Sequence, residues 1–326
     1  GVIPTGEDDQ LNPGYISSLI IQAYRRIRDH VIQTRLVFDP TYSLWLKCEN
    51  EQKTGSFKWR GALSKLSLLT PGQTIITAST GNHGLGVANA AVLFGLKARI
   101  FLPKTASPKK IEKLMALGAD LVQVDGDSLD AEMQGKEYAA LHHLPWVSPY
   151  NDEAIIAGQG TIGLEISERL SEIDKIYITV GGGGLISGIG SWIRSHHPNA
   201  EIIGCQPVNS PEMYLSVLSG HVVTAPESLT TLSDGSAGPL EKDSITFPIC
   251  QDVIDRFILV SEEEIEDAIR HLNRQHHLIV EGAAGVAMAA AMKDSRRHEG
   301  ETSVVVLCGG NIDATIHERI CKRVRT

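Results

Sequence analysis

The sequence predicts an α/β protein built on parallel sheets. Short apolar runs alternate with helical patterns for most of the chain, the helical stretches open on recognisable caps, and three glycine clusters follow directly on predicted strands. Strands separated by helices re-enter a sheet in the same direction, so ligands are expected at the strand C-terminal ends.

The strands are legible in chain order. Residues 74–79 (TIITAS), 98–102 (ARIFL), 121–124 (LVQV), 176–180 (IYITV), 201–204 (EIIG) and 303–307 (SVVVL) are short and apolar, as buried strands are. Between the second and third, Ser107 stands as an N-cap with Pro108 at the first helical position, and Gly118 closes that helix. Ser261 and Glu264 make a capping box ahead of an amphipathic run to about His277. No internal repeat, low-complexity tract or Pro/Ser-rich linker interrupts the chain. Residues 74–125 hold compact strand–helix units that form a small lobe, and the chain on either side forms a larger one.

Composition excludes several classes. With 30 basic against 39 acidic residues the net charge is −9, which argues against nucleic acid or an anionic membrane as partner. Hydrophobic residues at 42% supply a sizeable core and exclude disorder. The longest nearly apolar stretch, 282–292, falls far below the ~18 residues that suggest a membrane span. The N-terminal segment GVIPTGEDDQ is acidic and lacks the layout of a signal peptide. Cys48, Cys205, Cys250, Cys308 and Cys321 are odd in number and never spaced C-x-x-C, so neither a disulfide framework nor a zinc site is expected. The histidine pairs 142–143, 196–197 and 276–277 are adjacent, and adjacent side chains diverge on a helix, so no shared metal is expected. The expectation is a soluble, reduced, cytoplasmic protein.

Four segments join glycine to reactive or hydrogen-bonding residues: 54–61 (TGSFKWRG), 78–84 (ASTGNHG), 181–184 (GGGG) and 308–313 (CGGNID). The tetraglycine runs from a strand into a helix beginning near Leu185. Backbone N–H groups there can converge on an anion, and the helix dipole favours negative charge. No G-x-x-x-x-G-K-[ST] pattern is present, so a phosphate monoester fits better than a nucleoside triphosphate. A side chain at Gly182 or Gly183 is expected to block the approach of that anion. Lys58, beside Phe57 and between Gly55 and Gly61, is a candidate Schiff-base amine, and pyridoxal phosphate carries both an aldehyde and a phosphate.

A rival reading rests on the G-x-G-x-x-G at Gly158, Gly160 and Gly163, which suggests a dinucleotide-dependent oxidoreductase. Its context is poor, because Asp152 and Glu153 lie just upstream and residues 154–157 suit a helix. Glycines at this spacing inside a helix permit close packing.

The motifs TGSFKWRGA, STGNHG, AGQGTIGLE, GGGGLISGI, EGAAGV and CGGNID, in this order, resemble the fold type II pyridoxal-phosphate enzymes, with the nearest likeness to threonine/serine dehydratases and serine racemases. The resemblance covers nearly the whole chain. It implies two parallel-sheet α/β domains with the cofactor between them: a large cofactor-binding domain of residues 1–70 and 155–326, and a small substrate-loop domain of residues 71–154. It implies a homodimer and a small amino-acid substrate. A C-terminal regulatory domain of the biosynthetic type is not expected within these 326 residues.

The resemblance also implies roles. Lys58 would carry pyridoxal 5'-phosphate and act as base at Cα, with Phe57 packed near the ring. Asn82 would bond the pyridine 3'-oxygen. Gly181, Gly182, Gly183, Gly184 and Leu185 would bind the phosphate. Ser79, Thr80, Gly81 and His83 would receive the substrate carboxylate. Cys308 would lie near the pyridine nitrogen, where many relatives carry serine, and Glu281 would stand beside the active site. The implied reaction is β-elimination from a 3-hydroxy amino acid to a 2-keto acid and ammonia. Serine racemisation is the alternative, and a cofactor-bound module without turnover is a third reading. Two departures stand out. Gln206 occupies the position where some relatives offer a glutamate to a divalent cation, with Ser210 and Glu212 following, so no metal site is expected there. Thr80 stands where racemases tend to have serine and many dehydratases alanine.

Overall fold

The computed structural model describes residues 11–223 and 229–323, so the N-terminal segment 1–10 lies outside the described residues. The chain opens with α1 (Pro13–Ile27), capped by Asn12, and a hairpin of β1 (Leu36–Asp39) and β2 (Leu44–Cys48). A helix α2 (Lys58–Leu66) leads into β3 (Thr74–Ala78), α3 (Asn82–Phe94), β4 (Lys97–Pro103), α4 (Pro108–Ala116), β5 (Asp120–Val124) and α5 (Ser128–Leu141). Then come α6 (Glu153–Arg169), β6 (Lys175–Thr179), α7 (Gly184–His196), β7 (Glu201–Pro207), α8 (Glu212–Ser219) and α9 (Thr246–Val253). The chain closes with β8 (Arg256–Val260), α10 (Glu262–His276), α11 (Gly282–Lys293), β9 (Ser303–Leu307) and α12 (Ala314–Lys322).

Two sheets result. The larger has the order β1-β2-β9-β6-β7-β8, parallel throughout except for the β1–β2 hairpin, and the smaller is a parallel β3-β4-β5. All six strands expected from apolar runs are present, within a residue or so at most ends; the seventh, eighth and ninth (β1, β2, β8) were not anticipated. Two of these, β1 and β2, form one hairpin at the edge of the large sheet, and β8 is its other edge. The predicted caps are where the sequence put them. Ser107 accepts from the Lys110 N–H, and Ser261 with Glu264 completes a reciprocal capping box.

The large sheet is sandwiched by helices. The small-residue helix α11 is almost wholly buried, and its Ala and Gly side chains let it lie close on β6 and β9. Three glycines of α6 do the same. A Cβ at Gly158 would meet the Arg60 carbonyl at 2.5 Å, one at Gly160 would meet Ile20, and one at Gly163 would meet Trp192. The G-x-G-x-x-G therefore lies inside a helix and serves helix packing, and no strand precedes it. The small sheet carries its own apolar clusters, which Trp59, Leu63 and Leu66 of α2 join from the other side. Helix α2 thus packs both on α6 and on the unit around the small sheet.

Candidate active site

A cavity of about 510 Å3 opens between the two sheets, a size suited to a cofactor with a small substrate. Its walls come from loops at strand ends: the turn after β3, the start of α2, the start of α11 and the end of β9. The structure brings Phe57, Lys58, Ser79, Thr80, Gly81 and Asn82 together there, joined by His83, Glu281 and Cys308.

Lys58 is the first residue of α2. Its Nζ donates to the Pro149 carbonyl at 2.9 Å and lies 5.1 Å from the Phe57 ring centre. No carboxylate forms an ion pair with it among the described residues. Burial pulls the ammonium pKa down to about 8, against the opposing influence of Cys308 and Glu281. The helix that begins at Lys58 is anchored two residues further on. Arg60, fully buried, bonds both Glu49 and Glu165, and Lys47 reaches Glu165 and the Thr34 carbonyl.

Glu281 is the N-cap residue of α11 but caps nothing with its side chain. Instead its Oε1 accepts from Asn82 Nδ2 at 2.8 Å, and its Oε2 accepts from the Asn311 N–H at 2.9 Å. Burial raises its carboxyl to about 7, against those two hydrogen bonds, which favour the charged form. Asn311 also donates through Nδ2 to Asn82 Oδ1 at 2.7 Å. Both ends of the Asn82 amide are therefore engaged by protein. One amide hydrogen remains for a cofactor oxygen. Asn311, within CGGNID, completes this network, a role that its local sequence does not signal.

His83 also lines the cavity, with its ring held by protein partners. Its Nε2 lies 2.9 Å from Thr77 Oγ1 and 3.2 Å from the Val147 carbonyl, and burial lowers its pKa to about 3. The ring is a neutral brace between the β3–α3 turn and the 145–149 strand-end loop. It supplies no cation to a carboxylate, and it caps no helix. Ser79, Thr80 and Gly81 keep their place on the wall, with Ser79 Oγ accepting from the Gly81 N–H at 3.1 Å. Cys308 follows β9, its carbonyl accepts from the Phe57 N–H at 3.0 Å, and burial raises its thiol well above the usual range. The thiol is neutral.

The tetraglycine forms the turn between β6 and α7, with Gly182 and Gly184 packed against Tyr150. A Cβ at Gly182 would enter the Tyr150 ring at 2.2 Å, and one at Gly183, where φ is +91°, would meet Met213, Thr246 and Cys250. Protein packing and a left-handed backbone, ahead of any anion, demand glycine at these positions. The turn still fits a phosphate in one respect. No side chain caps the buried N-terminus of α7, and buried helix ends without partners call for an anion. Gln206 is spoken for: Nε2 donates to the Val180 carbonyl and Oε1 accepts from the Tyr214 N–H, both at 2.8 Å.

Comparison with known proteins agrees with this site. Residues 27–309 match the family described as pyridoxal-phosphate dependent enzyme. The chain is 38% identical over 319 residues to an L-threonine ammonia-lyase of Thermotoga maritima, covering 93% of this chain and 77% of that one. It is 34% identical to the catabolic L-threonine dehydratase of Escherichia coli K12, covering 90% and 92% of the two chains. Among solved structures, the processed form of threonine deaminase isoform 2 from Solanum lycopersicum superimposes with a TM-score of 0.89 at 32% identity, over 97% of this chain and 93% of that one. Maize serine racemase gives 0.86 at 29% identity, over 93% and 95%. The chain belongs to the fold type II pyridoxal-phosphate-dependent enzymes, in the threonine/serine dehydratase group, and is an ammonia-lyase that uses pyridoxal phosphate.

Proposed function

We propose that the chain dehydrates and deaminates L-threonine or L-serine to the 2-keto acid, with Lys58 carrying the cofactor and moving the proton at Cα. The observation that carries this reading is the Lys58 amine itself. It faces the cavity without a carboxylate partner, and with a pKa of about 8 a fraction of it is free base at neutral pH. Bound there, pyridoxal phosphate supplies an aldehyde for that amine and a sink for the electron pair left at Cα.

The remaining residues divide the work by position. Ser79, Thr80 and Gly81 form the turn that holds the substrate carboxylate, and the N-terminus of α7 with Gly181–Gly184 and Leu185 holds the phosphate. Glu281 orients Asn82 through the 2.8 Å bond, and the remaining amide hydrogen of Asn82 would be available to a cofactor oxygen. Cys308 offers a neutral, weakly donating thiol and no carboxylate charge to the ring nitrogen. Lys58 accepts the Cα proton, that proton and the β-hydroxyl leave together as one water, and hydrolysis of the released enamine consumes one water and frees ammonia.

The same proposal extends to organisation. Residues 71–154 act as the small substrate-loop domain against 1–70 and 155–326, supported by the separate three-stranded sheet. A homodimer in the cytoplasm follows from the family likeness, and the five free cysteines suit a reducing compartment.

A serine racemase reading is kept because Thr80, with a hydroxyl proton, lines the same cavity as Lys58. The test is a keto-acid and ammonia assay run beside chiral analysis of L-serine and L-threonine. Equimolar keto acid and ammonia, well in excess of D-serine, is the expected result, with Thr80→Ser raising the D-serine share. D-serine as the main product would replace this reading with the racemase.

A further inference from the structure

A group of metal-ligating side chains lies at the opposite end of the large sheet from Cys308. Asp39 ends β1 and pairs with Leu44 at the start of β2, while β2 runs parallel to β9 from Trp45 beside Val304 to Cys48 beside Leu307. The Asp39 carboxylate is fully buried. Its Oδ1 accepts from the Tyr42 N–H at 3.1 Å, which leaves Oδ2 to two imidazoles from α10. His271 Nε2 lies 2.5 Å from Oδ2, and His276 Nε2 lies 3.0 Å from the same oxygen. One nitrogen from each histidine and one Asp39 oxygen lie within 4.8 Å of one another.

We infer that Asp39, His271 and His276 form a binding site for a divalent transition-metal ion, zinc above all, which fastens the β1–β2 hairpin to α10. A buried carboxylate calls for a cation, and no lysine or arginine pairs with Asp39 among the described residues. Two imidazole nitrogens and one carboxylate oxygen are the donor set that zinc takes, with water in the fourth position. Magnesium and calcium call for six or more oxygen ligands, which this group does not offer. Bonds of about 2.0–2.1 Å in a tetrahedron set the donor atoms roughly 3.3 Å apart. Both nitrogen-to-oxygen spacings are shorter than that value, so the imidazoles draw back from Asp39 by roughly 0.3–0.8 Å to admit the ion. The Tyr42 ring packs edge-on against His271 at 5.0 Å, which holds the first imidazole in place, and both histidines keep a solvent edge by which an ion enters. The pair found by structure is His271 with His276; adjacency of His276 to His277 plays no part, because His277 turns away in a left-handed conformation.

The experiment titrates the cofactor-loaded, chelator-treated protein with Zn2+ by calorimetry and with Co2+ by visible absorption, and compares it with His271→Ala/His276→Gln. The expected result is one tight equivalent per chain, a tetrahedral cobalt spectrum, and a zinc-dependent rise in Tm. In the double variant affinity falls by at least ~10-fold, the rise in Tm is lost, and keto-acid production is retained. The absence of zinc binding by the folded wild type, or full-strength binding in the double variant, overturns the assignment.

Discussion

Asn82, His83 and Glu281 show at the residue scale what a motif does and does not convey. STGNHG and EGAAGV lie far apart in sequence, and the structure joins them through a 2.8 Å hydrogen bond between Asn82 and Glu281. The motifs placed every one of Lys58, Ser79, Thr80, Gly81, Asn82, Glu281 and Cys308 on the cavity wall. Side-chain partners were not legible, because they depend on distances between elements that no local spacing encodes. His83 is the instructive case. Burial against Thr77 and Val147 keeps its ring neutral, and its side chain caps no helix. Its folded pKa of about 3 lies below the ordinary 6.5, so it stays neutral in the fold while the unfolded chain takes up a proton. Its contribution to stability is present above pH 6.5 and is lost as pH falls towards 3. Between pH 6.5 and 5 that one proton amounts to about 2 kcal/mol. Urea unfolding of wild type and His83→Gln at both pH values should show the variant losing less stability on acidification. Equal losses would mean that His83 is protonated in the fold.

At the scale of elements, short apolar runs identified six of the nine strands and both capped helices, whereas β1 and β2 escaped, each being four or five residues long and carrying a charged residue, Asp39 or Lys47. The glycines of α6 carry the clearest element-level consequence. Gly158 allows α6 to lie against the backbone of α2 at Arg60 and Gly61, directly behind Lys58. A methyl group there has backbone in its path at 2.5 Å and 2.7 Å, which no side-chain rotation relieves. Gly158→Ala should cost about 1–3 kcal/mol of stability, read from denaturant unfolding, and should weaken cofactor retention as α2 shifts. Wild-type stability in that variant would show that the two helices can part without penalty. The tetraglycine is constrained in the same way, because Tyr150, Met213, Thr246 and Cys250 fill the space a side chain at Gly182 or Gly183 would need.

At the scale of the whole molecule, charge buried within the large unit decides where Lys58 stands. Arg60, Lys47, Glu49 and Glu165 form a closed network at most 3% exposed, linking α2 to α6 and to the end of the β1–β2 hairpin. None of these four was singled out from the sequence, since a buried ion network has no local signature. Arg60→Leu leaves two carboxylates facing one lysine in the interior. It should cost about 3–5 kcal/mol in urea unfolding, and a loss below about 1 kcal/mol would mean that the network relaxes without Arg60. The network holds the helix whose first residue is Lys58, and the account as a whole depends on that amine. Borohydride reduction of the cofactor-loaded enzyme, followed by peptide mapping, tests it most directly. The account predicts one pyridoxyl group per chain on Lys58, with neither the label nor keto-acid production surviving in Lys58→Ala. A label on another lysine, or undiminished turnover by cofactor-loaded Lys58→Ala, would contradict it.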